Sequence, residues 1–170
     1  MPRIAFIGAG SVVFAQHLLG DILSFPELAE SEIALMDIDP ERLKVAEVMA
    51  HKVAEAVGAH TGGGLPAHPK VTAHSERKPA LAGCDYVINM VQIGTYPSTL
   101  VDFNVPKEYG LKQTIADTLG IGGIFRALRT IPFMIEMGRE MEELCPNVQF
   151  LNYVKPHGNL LHFRAYPPSD

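Results

Sequence analysis

Cysteine is scarce in this 170-residue sequence: only Cys84 and Cys145 are present, and their spacing fits neither a disulfide framework nor a metal site. Two reduced, mostly buried thiols in a cytoplasmic protein are the expectation. No run of Lys and Arg occurs, and the net charge is −5, which argues against a nucleic-acid groove or an anionic membrane surface as the main partner. Nowhere do about 18 apolar residues follow one another, so no membrane-spanning helix is expected. Internal repeats and low-complexity tracts are lacking too. A small-molecule ligand is the partner these exclusions favour.

What is present is enough for one compact core. Apolar residues make up 47% and charged residues 19%, well away from the composition of a disordered chain. At this length about two-thirds of the unfolded surface can be buried. The apolar stretch from Ile4 to Ala15 resembles a leader peptide, but Gly8, Gly10 and Ser11 interrupt it and belong to a motif instead.

Arg3 to Ile7 reads as a continuously apolar strand that passes through a Gly-rich turn into an amphipathic helix over Val12 to Leu23. Ile33 to Met36 predicts a second strand, ending at Asp37-Ile-Asp39. Pro40 opens a helix with apolar positions Leu43, Ala46, Val48, Ala50, Val53 and Val57. Gly58 to Pro69 reads as a surface loop, Val71 to Ala73 as a short strand, Tyr86 to Val91 as a buried strand, and Gln92-Ile-Gly94 as the loop leaving its carboxyl end. A long helix is predicted over Ile124 to Leu144, with Phe125, Leu128, Ile131, Ile135 and Leu144 apolar and Pro132 kinking or restarting it. Val148 to Val154 completes the strands. Alternating strands and helices, with the strands continuously apolar, predict an α/β fold: a Rossmann-like, doubly wound, mostly parallel sheet.

Gly8-Ala-Gly10-Ser11 stands where a dinucleotide fingerprint must stand, between the first strand and the first helix. Gly8 permits the tight turn and Gly10 lets backbone approach a pyrophosphate. The helix start at Ser11 and Val12 supplies N–H groups and a partial positive charge. The third glycine of the usual pattern, which serves helix-strand packing, is replaced by Val13. Asp37 lies at the carboxyl end of the second strand, where a carboxylate accepts hydrogen bonds from an adenosine ribose and repels a 2′-phosphate. The cofactor expected is therefore NAD, with the strand ending at Val91 in register for it and Gln92, on the loop that leaves this strand, as a further cofactor-binding residue. The alternative for this acidic pair is helix capping, which Asp39 suits. His51, His60, His68 and His74 are expected to be solvated, and His157 and His162 lack a third ligand, so no metal is assigned to any residue.

Four segments together resemble the family 4 glycosidases: Gly8-Ala-Gly-Ser-Val-Val-Phe14, Met36-Asp-Ile-Asp39, Gln113-Thr-Ile-Ala-Asp-Thr-Leu-Gly-Ile-Gly-Gly-Ile-Phe-Arg126 and Leu151-Asn-Tyr153. The stretch Asp117 to Arg129 is most similar to the α-galactosidase and α-galacturonidase branch. The resemblance implies hydrolysis of a small-molecule α-glycoside in a cytoplasmic enzyme that is a homo-oligomer when intact. In this family NAD takes hydride from C3 of the sugar and a divalent metal, commonly Mn²⁺, polarises the ketone. A base then removes the C2 proton, the glycosidic oxygen leaves by elimination, water adds, and the hydride returns. Asp117 matches the proposed general acid at the leaving oxygen, with capping of the following helix as its alternative role. Asn152, at the end of the strand beside the nicotinamide, reads as substrate-positioning ahead of a turn hydrogen bond. Arg126 and Arg129 read as surface helix charges before they read as substrate or dimer contacts.

Residues 1–154 carry this resemblance and residues 155–170 do not. The family continues Asn-Tyr-x-Asn-Pro-Met-Ala-Met and places a metal-binding Cys and His and a proposed base, a Tyr, further on, whereas this chain continues Lys155-Pro-His-Gly-Asn159. One extra A in AAC CCC ATG GCA ATG gives AAA CCC CAT GGC AAT, which encodes those five residues. The tail is accordingly read as out-of-frame translation and the chain as truncated before the substrate- and metal-binding portion, inactive by itself. Two other readings stay open: a fragment of a malate- or lactate-type hydroxyacid dehydrogenase, and a non-catalytic NAD-binding module.

Overall fold

The computed structural model describes residues 1–60, 69–113 and 120–154. They form two compact units, one of residues 1–91 with 143–152, the other of the described residues between 92 and 142 with 153 and 154.

The first unit is built on five parallel strands: β1 (Arg3–Ile7), β2 (Glu32–Met36), β3 (Lys70–His74), β4 (Tyr86–Asn89) and β5 (Gln149–Asn152). Their order is β3-β2-β1-β4-β5. The chain winds outward from β1 through β2 to β3, then crosses back to place β4 on the other side of β1. That reversal between β1 and β4 is the topological switch point of a Rossmann-like sheet, where ligands bind outside the carboxyl ends of the strands. The expected fold class is the observed one.

The helices of this unit are α1 (Val12–Ser24), α2 (Pro40–His60) and the short α3 (Arg77–Leu81). On one face of the sheet Ile4, Phe6, Ile33, Leu35 and Ile88 cluster with Ala15 and Leu19 of α1 and with Leu43, Ala46 and Ala50 of α2. On the other, Ala5, Ile7, Ala34 and Val87 are fully buried as well, which explains why the strands read as apolar runs without alternation. Burying one of the larger side chains among these is worth roughly 1.5–3 kcal/mol. Register is marked at the opposite end by a charge layer across three strands: Glu32 on β2 meets Arg3 on β1 at 3.3 Å and Lys70 on β3 at 3.2 Å.

Several expectations are corrected. The segment from Gly58 begins as helix, since α2 continues to His60, and residues 61–68 lie outside the described set. Val48 faces solvent, because the buried line of α2 runs Leu43, Ala46, Ala50 and Ala54. The fourth and fifth strands stop at Asn89 and Asn152, two residues short of their predicted ends. His74 is half-buried on β3, with Nε2 3.0 Å from the Thr72 hydroxyl. Burial and then the charge of Arg3 hold its pKa below the ordinary value.

Both cysteines are buried free thiols, in keeping with the expectation. Cys84 Sγ donates to the Ala80 carbonyl at 3.0 Å, and burial pushes its pKa up from 9.0 to about 11; burial raises that of Cys145 too. Because the folded state holds its thiol protons more tightly, stability from this source is complete below pH 9 and is lost as pH rises toward 11, by about 2–3 kcal/mol for Cys84. The folded chain is expected to react with no aromatic disulfide reagent at pH 8 and to react at both thiols in denaturant. Rapid labelling of native protein would contradict this.

The second unit contains α4 (Thr95–Glu108) and most of α5 (Gly120–Leu144). α4 was not expected; it carries Pro97 and Pro106 and no apolar stripe. It starts from Gly94 at φ 78° and Thr95 at φ 53°, and a β-carbon on Gly94 would strike the Ser98 side chain. α5 begins four residues before the predicted start, with the Gly122 N–H donating to Gln113 Oε1 at 3.2 Å. Pro132 sits inside one continuous helix. The buried line of α5 is Gly123, Ala127, Thr130, Met134 and Met137, and Leu128 is exposed.

Candidate functional site

The turn between β1 and α1 is tied to the end of β2. The N–H groups of Gly8 and Ala9 both donate to the Met36 carbonyl at 2.9 Å, and the Ser11 N–H donates to the Gly8 carbonyl at 3.1 Å. Gly8 has φ 88°, and a β-carbon there would lie 2.9 Å from the Val91 backbone nitrogen. Only glycine meets both conditions, a left-handed turn and a close backbone approach.

Gly10 needs its missing side chain for a different reason than predicted. A β-carbon on it would lie 2.5 Å from Asp37 Oδ2 and 2.8 Å from Arg42 Cβ. Its N–H donates to Asp37 Oδ2 at 2.7 Å. The second glycine thus makes room for the acidic residue itself, and its own amide serves that carboxylate. Asp37 Oδ1 accepts from the Asp39 N–H at 2.9 Å, so the half-buried carboxylate is fixed in orientation at the sheet's carboxyl edge.

The amides left to meet an anion are those of the first turn of α1. Its first intrahelical bond runs from the Ala15 N–H to the Ser11 carbonyl. No side chain caps the helix at Ser11, and its first turn holds no acidic residue. The N–H groups of Val12, Val13 and Phe14 therefore precede the helix ladder uncapped, with the positive end of the helix dipole behind them. Val13 is 66% exposed; it does not pack on a strand, which is why this position tolerates the loss of the third glycine. Asp39 behaves as the capping reading had it: its Oδ1 accepts from the N–H groups of Glu41 and Arg42 at 3.0 and 3.2 Å, while Asp37 does not cap.

At the ends of β4 and β5, Asn89 and Asn152 are register partners, and Asn89 Nδ2 donates to Asn152 Oδ1 at 3.0 Å. Asn89 is fully buried and was not singled out from sequence. An isolated buried amide in a strand of apolar residues was the available signal, since such a group must be hydrogen-bonded.

Gln92 belongs to the second unit, is exposed, and lies 3.4 Å from the Thr99 hydroxyl through Nε2. In the same unit Arg129 makes a two-pronged contact with Asp102, at 2.8 and 2.5 Å. Asp102 is 2% exposed. Arg129 is therefore an internal ion-pair partner and not the surface charge expected. Asp117 lies outside the described residues. Among the described residues no three His, Cys, Asp or Glu side chains come together as a metal-holding group, and no helix is long and apolar enough to cross a membrane.

The model of the family described as "Family 4 glycosyl hydrolase" matches residues 3–165, a span that passes the boundary at 154 drawn from the motifs. The chain is 47% identical over 161 residues to an alpha-galactosidase of Bacillus subtilis (strain 168), covering 94% of this chain and 35% of that one. It is 32% identical over 154 residues to an alpha-galacturonidase of Thermoanaerobacter italicus, covering 91% and 31%. The structure of the 6-phospho-beta glucosidase from Thermotoga maritima, solved with manganese, NAD+ and glucose-6-phosphate, superposes with a TM-score of 0.71 at 26% identity, covering 93% of this chain and 35% of that one. The chain thus spans about a third of the length of the relatives it matches.

Proposed function

From the premise that the chain belongs to family 4 of the glycosyl hydrolases, we propose that it is the NAD-binding portion of an enzyme that hydrolyses a non-phosphorylated α-glycoside, a galactoside or galacturonide, with a divalent metal as second cofactor. The observation that carries the reading is the cluster at the switch point: a turn that only glycine can make at Gly8, uncapped amides at the start of α1, and Asp37 fixed beside them by the Gly10 N–H. That is a cradle shaped for a diphosphate on one side and a ribose on the other. Galactosidase and galacturonidase relatives favour the sugar class.

Bound NAD supplies reversible oxidation at a sugar carbon, which acidifies the neighbouring C–H. The chain's own residues do the rest of what is assigned here. The first-turn amides of α1 bind the pyrophosphate, with Ser11 and Val12 at the point of approach. Asp37 accepts from the ribose hydroxyls, Gln92 is assigned to the cofactor from its place in the sequence directly after Val91, Asn152 positions the sugar, and Asp117 protonates the departing glycosidic oxygen. The described residues offer no donor set for the metal, so no step is assigned to one. The intact enzyme is expected to be a homo-oligomer. These 170 residues are expected to bind the dinucleotide without turning over a glycoside.

A hydroxyacid dehydrogenase shares the sheet and the loop, and the family match and sugar-hydrolase relatives decide against it. In the intact enzyme, activity is expected to vanish on removing NAD and chelating metal; full activity in such a preparation would end the reading. In the chain itself, Asp37→Ala is expected to weaken NAD much more than NADP, because ribose acceptor and phosphate repulsion go together. Calorimetry giving both affinities unchanged would reduce Asp37 to a structural residue.

A further inference from the structure

Arg42 adjoins the dinucleotide loop and has no role in the reading above. Its Cβ and Asp37 Oδ2 both lie within 2.8 Å of the point where a Gly10 β-carbon would stand, so the base of the Arg42 side chain and the tip of Asp37 meet at one spot at the ribose end of the cradle. The guanidinium rests against Asp39, with Nε 3.5 Å from Oδ2, and both groups are open to water, at 62% and 46% exposure. Such an exposed pair is weak and exchangeable. Asp39 is held in place independently, since its other oxygen caps α2. Among the described residues, the charged side chains shown at the spot are Asp37, Asp39 and Arg42, and Glu41 lies in the first turn of α2.

We propose that Arg42 is a second specificity-determining residue of this site, a latent 2′-phosphate anchor that the Asp37 carboxylate overrides. The proposal rests on the NAD-binding reading and goes beyond it. Asp37 excludes a 2′-phosphate by charge, and once that charge is gone the guanidinium, which needs only to leave Asp39, offers a planar fork matched to phosphate oxygens. Preference for NAD is then a contest between two side chains that both crowd Gly10, and it can be inverted by editing residue 37 alone only because Arg42 is there.

The test is titration of the 170-residue chain with NAD and with NADP, in the parent and in Asp37→Asn, Arg42→Ala and the double variant. Asparagine keeps an oxygen for the Gly10 N–H, and thermal melts of each variant establish that it is folded. Asp37→Asn is expected to tighten NADP by about tenfold, and the double variant to return NADP to within about threefold of the parent, with Arg42→Ala alone leaving NAD within about threefold. A double variant that binds NADP as tightly as Asp37→Asn overturns the proposal, as does an Asp37→Asn chain that gains no NADP affinity while still binding NAD. Failure of the underlying reading looks different: the folded parent then binds neither dinucleotide.

Discussion

Arg129→Ala is expected to lower the stability of the chain by about 3 kcal/mol, the cost of leaving one member of a buried ion pair without its partner. Asp102 is 2% exposed and receives both terminal nitrogens of the guanidinium. The hydrogen bonds to Asp102 hold the Arg129 pKa still further above its ordinary value. Removing the cation leaves the Asp102 carboxylate, 2% exposed in the folded chain, without its partner. In a chain of this size that corresponds to a fall in melting temperature of about 6–12 °C. Lysine should rescue little, since an ammonium replaces two parallel contacts with one. The discriminating measurement is the double variant Asp102→Leu/Arg129→Met, expected to recover much of the loss because a well-packed apolar pair needs no compensation. A single Arg129→Ala variant melting with the parent would show the pair to be worth nothing.

That pair also marks where sequence reasoning stopped. Arg129 and Asp102 are 27 residues apart, and Asp102 sits in α4, a helix whose inward side chains are Asp102 and Pro106. With no apolar stripe to announce the helix there was no buried face on which to place the aspartate, and without it Arg129 looked like any charged residue on a long helix. α3, five residues long with Pro79 inside, was missed for the same reason. The β1–α1–β2–α2 half was legible because each strand is an unbroken apolar run and each turn carries its own chemistry, Gly8 for a positive φ and Asp39 for a cap. The geometry around Gly10 was only half legible: spacing located the glycine and the acid, but that the acid and Arg42 are what crowd the glycine required the strands to be laid side by side. Helix faces were read less well than helices. Leu128 and Val48 count among the apolar positions of their helices yet are exposed, whereas close packing selected Ala46, Ala50, Ala127 and Thr130, small residues whose value is that they let elements approach.

A polypeptide of these 170 residues, supplied with NAD and Mn²⁺, is expected to show no turnover of a chromogenic α-galactoside. The resemblance to family 4 places the metal-binding Cys and His and the base Tyr downstream of residue 154, and the chain spans 35% and 31% of two relatives. The cysteines it does contain are poor substitutes. A metal needs thiolate, and burial holds the Cys84 thiol at a pKa of about 11 and raises that of Cys145, so both stay protonated at neutral pH. Elimination from an oxidised sugar without a cation on the carbonyl oxygen and without a positioned base forfeits most of an acceleration that enzymes build to roughly a millionfold or more. NAD binding measured on the same preparation separates this outcome from simple misfolding, because the cradle of Gly8, Gly10 and Asp37 lies within the first unit and should work without the distant ligands. Sequencing the gene past codon 154 is the companion measurement: a shifted frame encoding Asn-Pro-Met and a later Cys and His would support the out-of-frame reading of residues 155–170, and a frame encoding neither would end it. Turnover by the purified 170-residue chain that depends on added NAD and Mn²⁺ would overturn the expectation, and would require the metal and the base to be found among residues that share no position with the family's own.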